Sequence, residues 1–245
     1  MPQLSWLQAE QTPNFPDTSM ALSEPEGLLA AGGQLSIKWL LSAYSKGIFP
    51  WYCDGEPILW WSPSPRMVLI PGNAHASRSL RKPFRSIDIE IRVNTCFEDV
   101  IKRCSKPRST GDGTWIIEEM REAYIDLHNA GWAHSIEVFQ DQTLVGGLYG
   151  VGIESVFYGE SMFSDLTNAS KYAFIALSEW SKENQLSLID CQLHNPYLES
   201  LGAELLPREE FEQQLPKQQL RLDLKHNQSL THLLERVLLK NEQLK

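Results

Sequence analysis

The sequence predicts a mixed α+β fold, in which a small N-terminal α/β domain over residues 1–65 precedes a larger domain over residues 66–245. Apolar residues alternate with charged ones from Ile87 to Val93, which is typical of a half-buried strand. Three further strand-like runs follow a helical segment, at residues 135–140, 143–151 and 154–158. Strand runs mixed with helices in this order indicate a mostly antiparallel sheet flanked by helices.

The N-terminal elements are short. Residues 1–35 are rich in Pro, Gly and small polar residues, so we expect loops and turns there. Ser36 is a candidate N-cap for a helix through Lys46, and Gly47 is its expected stop. The aromatic, proline-rich segment that follows predicts short strands around a pocket, and residues 66–70 predict a strand.

The larger domain continues with alternating helices and strands. Helices are expected at residues 96–104, 116–129 and 197–201, with Thr114 as the cap of the second. Asn168 or Ser170 can cap another helix that ends near residue 184, and an apolar strand follows at residues 186–191. Residues after about 220 predict a charged amphipathic tail with little functional signal.

Composition excludes several classes of protein. No run of ~18 apolar residues is present, which argues against a membrane span. The N-terminus lacks the basic start and apolar stretch of a signal peptide, so we expect a cytoplasmic protein. The four cysteines are scattered and form no C-x-x-C pair, so neither zinc nor disulfides are expected. The sequence shows no row of residues that would mark an oligomer interface, so a monomer is the default expectation.

The net charge of −9 argues against a general polyanion-binding protein, but the basic residues are clustered. No acidic residue lies between Glu56 and Asp88, whereas five basic residues do: Arg66, Arg78, Arg81, Lys82 and Arg85. A second basic cluster follows at Lys102, Arg103, Lys106 and Arg108. Such patches suit a local phosphate contact, and a solvated surface is an equally good interpretation of the charges alone.

Six strings, in order, resemble the leucyl/phenylalanyl-tRNA–protein transferase family. They are EGLLAAGGQLSIKWLLSAYSKGIFPWY, LWWSPSPRMVL, SRSLRK, GTWIIEEMREAYIDLHNAGWAHSIEVF, LVGGLYGVGIESVFYGESMFSDLTNASKYAFIAL and LIDCQLHNPYLESLGA. The resemblance covers the chain up to about residue 210. It implies transfer of Leu, Phe or, less well, Met from tRNA to proteins that begin with Arg or Lys, which marks those proteins for degradation by the N-degron pathway. It also implies an acetyltransferase-like (GNAT) larger domain and no cofactor.

Three polar residues are the catalytic candidates. Asp190 and Gln192 lie at i and i+2 near a strand end, so their side chains are expected on one face, with Cys191 opposite. By resemblance, Gln192 contacts the acceptor amine or ester region. Asp190 either polarises Gln192 or takes up a proton. Glu160, by resemblance, binds the aminoacyl α-ammonium group. A salt bridge to the acceptor's basic side chain is the second possibility, and a surface glutamate of a hairpin is the structural alternative.

The resemblance also implies an apolar pocket for the donor side chain. Its residues are Trp51, Trp115, Leu148, Phe157, Met162, Phe174, Leu177 and Ile189. Each of these, taken alone, fits a hydrophobic core better than a pocket. Asn195 is a candidate supporting hydrogen-bonding group. The five basic residues between Glu56 and Asp88 would hold tRNA phosphates, and such contacts position tRNA without determining sequence specificity.

Two other functions are compatible with this fold class. A CoA-dependent N-acetyltransferase needs a glycine loop that enters a helix and binds pyrophosphate with its backbone N–H groups. The comparable glycines here, Gly147, Gly150 and Gly152, fall within predicted strands. A non-catalytic tRNA-binding protein is the other alternative, and the presence of both Asp190 and Gln192 argues against it.

Overall fold

The computed structural model describes residues 4–106 and 116–239. Within these residues the chain forms eleven strands and eight α-helices. The strands are β1 (Ser5–Leu7), β2 (Leu28–Gly32), β3 (Phe49–Pro50), β4 (Leu59–Trp61), β5 (Arg66–Leu69), β6 (Glu90–Val93), β7 (Ala133–Gln140), β8 (Thr143–Ile153), β9 (Val156–Ser164), β10 (Leu188–Gln192) and β11 (Glu204–Leu206). The helices are α1 (Ile37–Tyr44), α2 (Arg78–Phe84), α3 (Phe97–Cys104), α4 (Glu118–Asn129), α5 (Ala169–Glu183), α6 (Pro196–Glu199), α7 (Arg208–Glu212) and α8 (Thr231–Leu239).

The first part of the described chain, residues 4–65, is called the N-terminal segment. It forms a four-stranded sheet in the order β1-β2-β4-β3. The expectation of only loops and turns before residue 36 was wrong, because β2 pairs with β1 on one side and with β4 on the other. The run Leu28–Ala31 is buried on both faces, and so it lacks the alternation that marks a half-buried strand.

A seven-stranded sheet carries the rest of the described chain, in the order β11-β5-β10-β9-β8-β7-β6. Its neighbours are antiparallel except for β9 and β10, which run parallel with α5 between them in sequence. A parallel pair needs such a crossover connection. The fold is therefore mixed α/β with two mostly antiparallel sheets, in agreement with the class expected from the sequence.

Hydrophobic clusters cover both faces of the large sheet. The first cluster joins α1, α3 and α4 to the sheet and includes Tyr44, Tyr124 and Tyr158. The second lies under α5 and α8 and includes Phe157, Tyr172 and Ile189. The N-terminal segment therefore shares its core with the larger sheet, so side chains from both parts of the chain meet in the first cluster.

Several predicted elements are observed close to their expected bounds, including β5, α3, β8 and α5. The last strand of the antiparallel meander β6 to β9 is longer than expected, because β9 continues to Ser164 and includes Glu160. The basic segment forms the helix α2, which the sequence pattern did not predict. The C-terminal tail contains α8, whose Leu233, Leu234 and Leu238 are buried against the second cluster.

Among the described residues, no helix combines the length and the apolar character that crossing a bilayer requires.

Candidate active site

A cavity of about 620 Å³ opens between the N-terminal segment, β8, β9, α5 and the end of β10. Its apolar wall includes Phe49, Trp51, Leu148, Met162, Phe174, Leu177 and Ile189. Glu160 and Gln192 also line it and supply polar groups. A mainly apolar cavity with a few converging polar groups is the usual form of a small-molecule site.

Six of the eight residues expected in the donor pocket line this cavity: Trp51, Leu148, Met162, Phe174, Leu177 and Ile189. Trp115 lies outside the described residues. Phe157 is fully buried in the second cluster and is not among the lining residues. Its ring lies so close to Gly150 that a Cβ at that position would come within 2.5 Å of it. Phe157 therefore packs in the core at a close approach of two strands and not on the cavity wall.

Gln192 and Glu160 meet because of the parallel register of β9 and β10. Asp190 pairs with Tyr158, so two residues further along Gln192 comes opposite Glu160. The Gln192 side chain donates from Nε2 to Glu160 Oε1 at 2.9 Å. Since this contact uses the amide nitrogen, the carbonyl oxygen Oε1 of Gln192 is left as an acceptor.

Two tyrosine hydroxyl groups donate hydrogen bonds to the Glu160 carboxyl group. Tyr44 on α1 donates to Oε1 at 2.7 Å, and Tyr124 on α4 donates to Oε2 at 2.8 Å. The two hydroxyl oxygens lie 2.5 Å apart, so the three groups form a ring of short contacts. Neither tyrosine was predicted from the sequence as a site residue. A buried tyrosine hydroxyl needs a partner, but nothing local identifies that partner.

Burial controls the protonation of this ring. Desolvation raises the pKa of Glu160 to about 7, against the opposing effect of the hydrogen bonds from Tyr44 and Tyr124. Burial and the nearby Glu160 carboxyl raise the pKa of both tyrosine hydroxyls well above 10. Glu160 is therefore the member of the ring that changes protonation near neutral pH.

Asp190 lies behind the cavity wall and does not line it. Its side chain is 0% exposed and accepts from Arg66 Nε at 2.8 Å and from Arg66 Nη2 at 2.7 Å. Its Oδ1 also accepts the backbone N–H of Gln192 at 2.9 Å. Because Asp190 is enclosed and does not reach the cavity, direct proton transfer from substrate to Asp190 does not fit this geometry. Its contact with the backbone N–H of Gln192 agrees with the other alternative, in which Asp190 acts on Gln192.

The same contacts remove Arg66 from the expected phosphate-binding group, because its side chain is only 1% exposed. The other four basic residues lie on or next to α2. Arg78, Lys82 and Arg85 are exposed. Arg81 is half-buried and donates to the carbonyl oxygens of Ala76 and Leu238. The basic stretch that was continuous in sequence is thus divided between a buried strand and a surface helix.

Asn195 and Tyr197 lie at the mouth of the cavity. Asn195 caps α6 by accepting the backbone N–H of Tyr197 at its Oδ1, 2.9 Å away. Asn195 thus orders the chain just after Gln192, which agrees with a supporting role. Tyr197 is 40% exposed, and its ring faces the ammonium group of Lys171 at 5.3 Å.

In the described part of the chain, no group of three or more His, Cys, Asp or Glu side chains could hold a metal ion. The three glycines considered for pyrophosphate binding lie inside β8. A Cβ at Gly150 would come within 2.2 Å of the Tyr158 carbonyl oxygen, and one at Gly152 within 2.7 Å of Leu222. Close packing against the neighbouring strand at Gly150, and against the C-terminal segment at Gly152, thus accounts for these two glycines.

Comparison with known proteins shows two matching family models. The model described as leucyl/phenylalanyl-tRNA protein transferase matches residues 68–216, and the model of its N-terminal domain matches residues 33–64. The chain is also similar to curated proteins named leucyl/phenylalanyl-tRNA–protein transferase. The relative from Chromobacterium violaceum is 53% identical over 208 residues, covering 85% of this chain and 88% of the relative. The relative from Saccharophagus degradans is 52% identical over 213 residues, covering 87% of each chain.

Similarity to solved structures is weak. A functionally unknown protein from Staphylococcus epidermidis is 11% identical with a TM-score of 0.38, covering 74% of this chain and 68% of that one. A structure described as L-PGS from Bacillus licheniformis is 12% identical with a TM-score of 0.36, covering 60% and 47%.

Proposed function

The chain belongs to the leucyl/phenylalanyl-tRNA–protein transferase family and is an aminoacyltransferase, and on this premise we propose its donors, acceptors and site chemistry. The donors are Leu, Phe and, less well, Met esters of tRNA. The acceptors are proteins that begin with Arg or Lys, and the product enters the N-degron pathway. The enzyme acts in the cytoplasm as a monomer without a cofactor.

The observation that carries this proposal is the cavity itself, where an apolar wall meets the Glu160–Gln192 pair. The wall suits an unbranched-at-Cβ side chain such as Leu or Phe, and the polar pair suits the groups around the reacting carbonyl. Because both features occur in one cavity, a donor side chain bound in it would have its ester beside Gln192.

The reaction needs alignment more than activation. The donor ester is already activated, and the acceptor α-amine has an ordinary pKa of about 7.7–8.0, so a useful fraction is neutral near pH 7.5. The amine nitrogen attacks the ester carbonyl carbon, and the bond from that carbon to the ribose oxygen breaks. The amine loses a proton and the ribose oxygen gains one. Alignment of this kind contributes ~7 kcal/mol or more in well-oriented systems.

Gln192 is proposed to orient the attacking amine. Its Nε2 is held on Glu160, so its carbonyl oxygen has a set direction and can accept an N–H of the amine. Such a contact strengthens as positive charge develops on the nitrogen, and so it favours the transition state over the ground state.

Glu160 is proposed to bind the donor's α-ammonium group, with the acceptor's basic side chain as the second candidate. Oε1 already accepts two hydrogen bonds and Oε2 one. A carboxylate has about four acceptor positions, so one is left. A single ammonium N–H fits that position, whereas a bidentate guanidinium does not. This count supports an ammonium group, either the donor's α-ammonium or a lysine side chain, over the guanidinium of an arginine.

The Glu160 ring also offers a place for a proton. When Glu160 is protonated, Tyr44, Tyr124 and Glu160 carry three hydroxyl protons for the three contacts among them. When Glu160 is ionised they carry two. Because one proton more completes the ring, we propose that Glu160, and not the enclosed Asp190, exchanges a proton with the reacting groups.

The exposed basic face of α2 is proposed to hold the acceptor stem of tRNA by its phosphates. Arg78 and Lys82 lie four residues apart on this helix, which places them on one side of it. Arg81 and Arg85 complete the group. Contacts of this kind position the tRNA and add a salt-dependent share of its affinity.

We also propose the GNAT-like assignment for the larger sheet. Its support is the antiparallel meander β6 to β9 followed by a helix and a parallel strand. The CoA-dependent alternative is less well supported, because its candidate glycines lie in the middle of β8 and precede no helix.

The test is incubation with Phe-tRNA and a peptide that begins with Arg, followed by mass spectrometry. We expect a mass gain of one phenylalanine. The control peptide carries an acetylated N-terminus and should remain unmodified. An acetyl gain with acetyl-CoA, and no gain with Phe-tRNA, would replace the proposal with the alternative.

A further inference from the structure

Arg66 occupies an unusual place for a charged side chain. It is the first residue of β5 and is buried against two aromatic rings. Its guanidinium carbon lies 4.7 Å from the centre of the Phe49 ring and 4.8 Å from the centre of the Phe211 ring. Its planar fork meets the Asp190 carboxylate at two points. Such a bidentate contact fixes both the position and the orientation of the carboxylate.

The carboxylate in turn holds the end of β10. Asp190 Oδ1 accepts the backbone N–H of Gln192, and the pairing with β5 shifts register between these two residues. Gln192 has a φ of 65°, a left-handed conformation that is uncommon for residues other than glycine. The contact from Asp190 therefore stabilises a local backbone shape that Gln192 would not adopt by preference.

That backbone shape determines where the Gln192 amide lies. With it, the side chain reaches Glu160 and lines the cavity. We propose that Arg66 is a positioning residue for the transfer reaction, acting through Asp190 and the backbone of Gln192. The link to catalysis rests on the proposed function, since it requires Gln192 to contact the reacting amine.

Stability alone is a weak reason for this pair. A buried ion pair is often no better for stability than apolar residues of the same size, because both charges must leave water. A pair whose acceptor oxygen also holds a strained backbone N–H has a geometric use that apolar residues could not supply. This second contact is the observation that separates positioning from packing.

The experiment compares two variants. Arg66→Met removes the guanidinium and leaves Asp190 without its partner. The double variant Arg66→Gln/Asp190→Asn is neutral. In it, the Nε2 of the introduced glutamine can take the place of Arg66 Nε, and the Oδ1 of the introduced asparagine can still accept from the Gln192 backbone. Arg236→Met is the matched control, because it removes ion pairs to Glu179 and Glu183 on α5.

Two measurements are made on each folded variant. The first is hydrogen exchange of the Gln192 backbone N–H by NMR, a measurement that does not depend on enzymatic activity. The second is kcat and KM for Phe transfer from Phe-tRNA to an Arg-starting peptide, over a range of pH. We expect Arg66→Met to lose amide protection and about a hundredfold in kcat with little change in KM. The double variant should regain protection of the Gln192 backbone N–H, and its kcat should be about tenfold higher than that of Arg66→Met.

The outcomes separate the hypotheses. Unchanged protection and kcat in Arg66→Met would overturn the proposal. A double variant with restored protection but no activity would also overturn it, because Asp190 would then be needed for its charge. If Arg66→Met does not fold, the double variant decides alone by the same two measurements. If the wild type transfers nothing, the proposed function fails, while amide exchange still tests the link from Arg66 to Gln192.

Discussion

At the residue scale, the charge inside the cavity depends on one carboxyl group, that of Glu160, which gains or loses a proton near neutral pH. Glu160 is 9% exposed and is held by two tyrosines and by Gln192. Its raised pKa has a consequence for stability. The folded protein binds the Glu160 proton more tightly than the unfolded chain does, so this group stabilises the fold at low pH and loses that contribution as pH rises through about 7.

We therefore expect the stability of the wild type relative to Glu160→Gln to fall by about 3 kcal/mol between pH 4.5 and pH 8, the equivalent of a pKa raised from 4.5 to about 7. Urea unfolding at several pH values measures this difference. The matched control is Glu122→Gln, at an exposed position of α4. A difference that is independent of pH would contradict the raised pKa.

Gln192 is the second residue whose change is informative. Gln192→Ala should stay folded and lose about 10²- to 10³-fold in kcat, the usual effect of removing one preorganised hydrogen-bonding group. Gln192→Asn keeps an amide and tolerates the left-handed backbone, so it should retain more activity than alanine. Gln185→Ala is the matched control, since Gln185 also has a positive φ of 57° but does not line the cavity. Steady-state kinetics with Phe-tRNA decides, and wild-type rates for Gln192→Ala would remove it from the mechanism.

At the element scale, a single basic stretch of sequence serves two separate structural purposes. Arg66 is enclosed at the start of β5, whereas Arg78 and Lys82 are exposed on α2. An interior strand of the sheet and a short surface helix therefore give the same residue type opposite environments. In the proposed contact with tRNA, the electrostatic contribution therefore comes from the exposed basic residues of α2.

The double variant Arg78→Ser/Lys82→Ser should weaken tRNA binding and reduce the slope of log affinity against log salt by about 1 for each lost phosphate contact. Turnover of a minimal aminoacyl ester should be unchanged, because it has no acceptor stem. Filter binding at several salt concentrations measures the slope. Lys217→Ser/Lys225→Ser, at exposed positions outside α2, is the control. Equal damage to the minimal ester would contradict the role of α2.

At the scale of the whole molecule, the cavity exists only because distant parts of the chain meet. Phe49 and Trp51 come from the N-terminal segment, Leu148 and Met162 from the meander, and Phe174 from α5. Tyr44 crosses from the N-terminal segment to support Glu160. The N-terminal segment is thus part of the site and not only a neighbour of it.

The proposed binding of the donor side chain in this apolar cavity predicts which donors are used. Ile and Val are branched at Cβ, whereas Leu is branched at Cγ, and a hydrophobic pocket discriminates such a difference by about 1–3 kcal/mol. We expect kcat/KM for Ile-tRNA and Val-tRNA to be about 10- to 200-fold below that for Leu-tRNA. Competition assays with a single acceptor peptide measure the ratio. Equal use of Ile-tRNA and Leu-tRNA would show that the donor side chain does not bind in this cavity.

The sequence by itself determined the elements with a clear local pattern and the family. Local sequence patterns predicted α3, β5 and much of β8, and six ordered strings indicated a transferase. Local patterns report how one segment divides its residues between core and solvent. The resemblance to the family, and not these local patterns, supplied the six cavity-lining apolar residues and the polar candidates Glu160 and Gln192.

Only the tertiary structure decided which of these residues meet. Arg66 and Asp190 are 124 positions apart in sequence, and Tyr44 and Glu160 are 116 apart. Whether an arginine is exposed on a helix or enclosed beside a carboxylate depends on contacts of that range, as does whether Phe157 lines the cavity or fills the core. Burial and partner choice are properties of the packed chain, because desolvation and hydrogen bonding depend on neighbours in space.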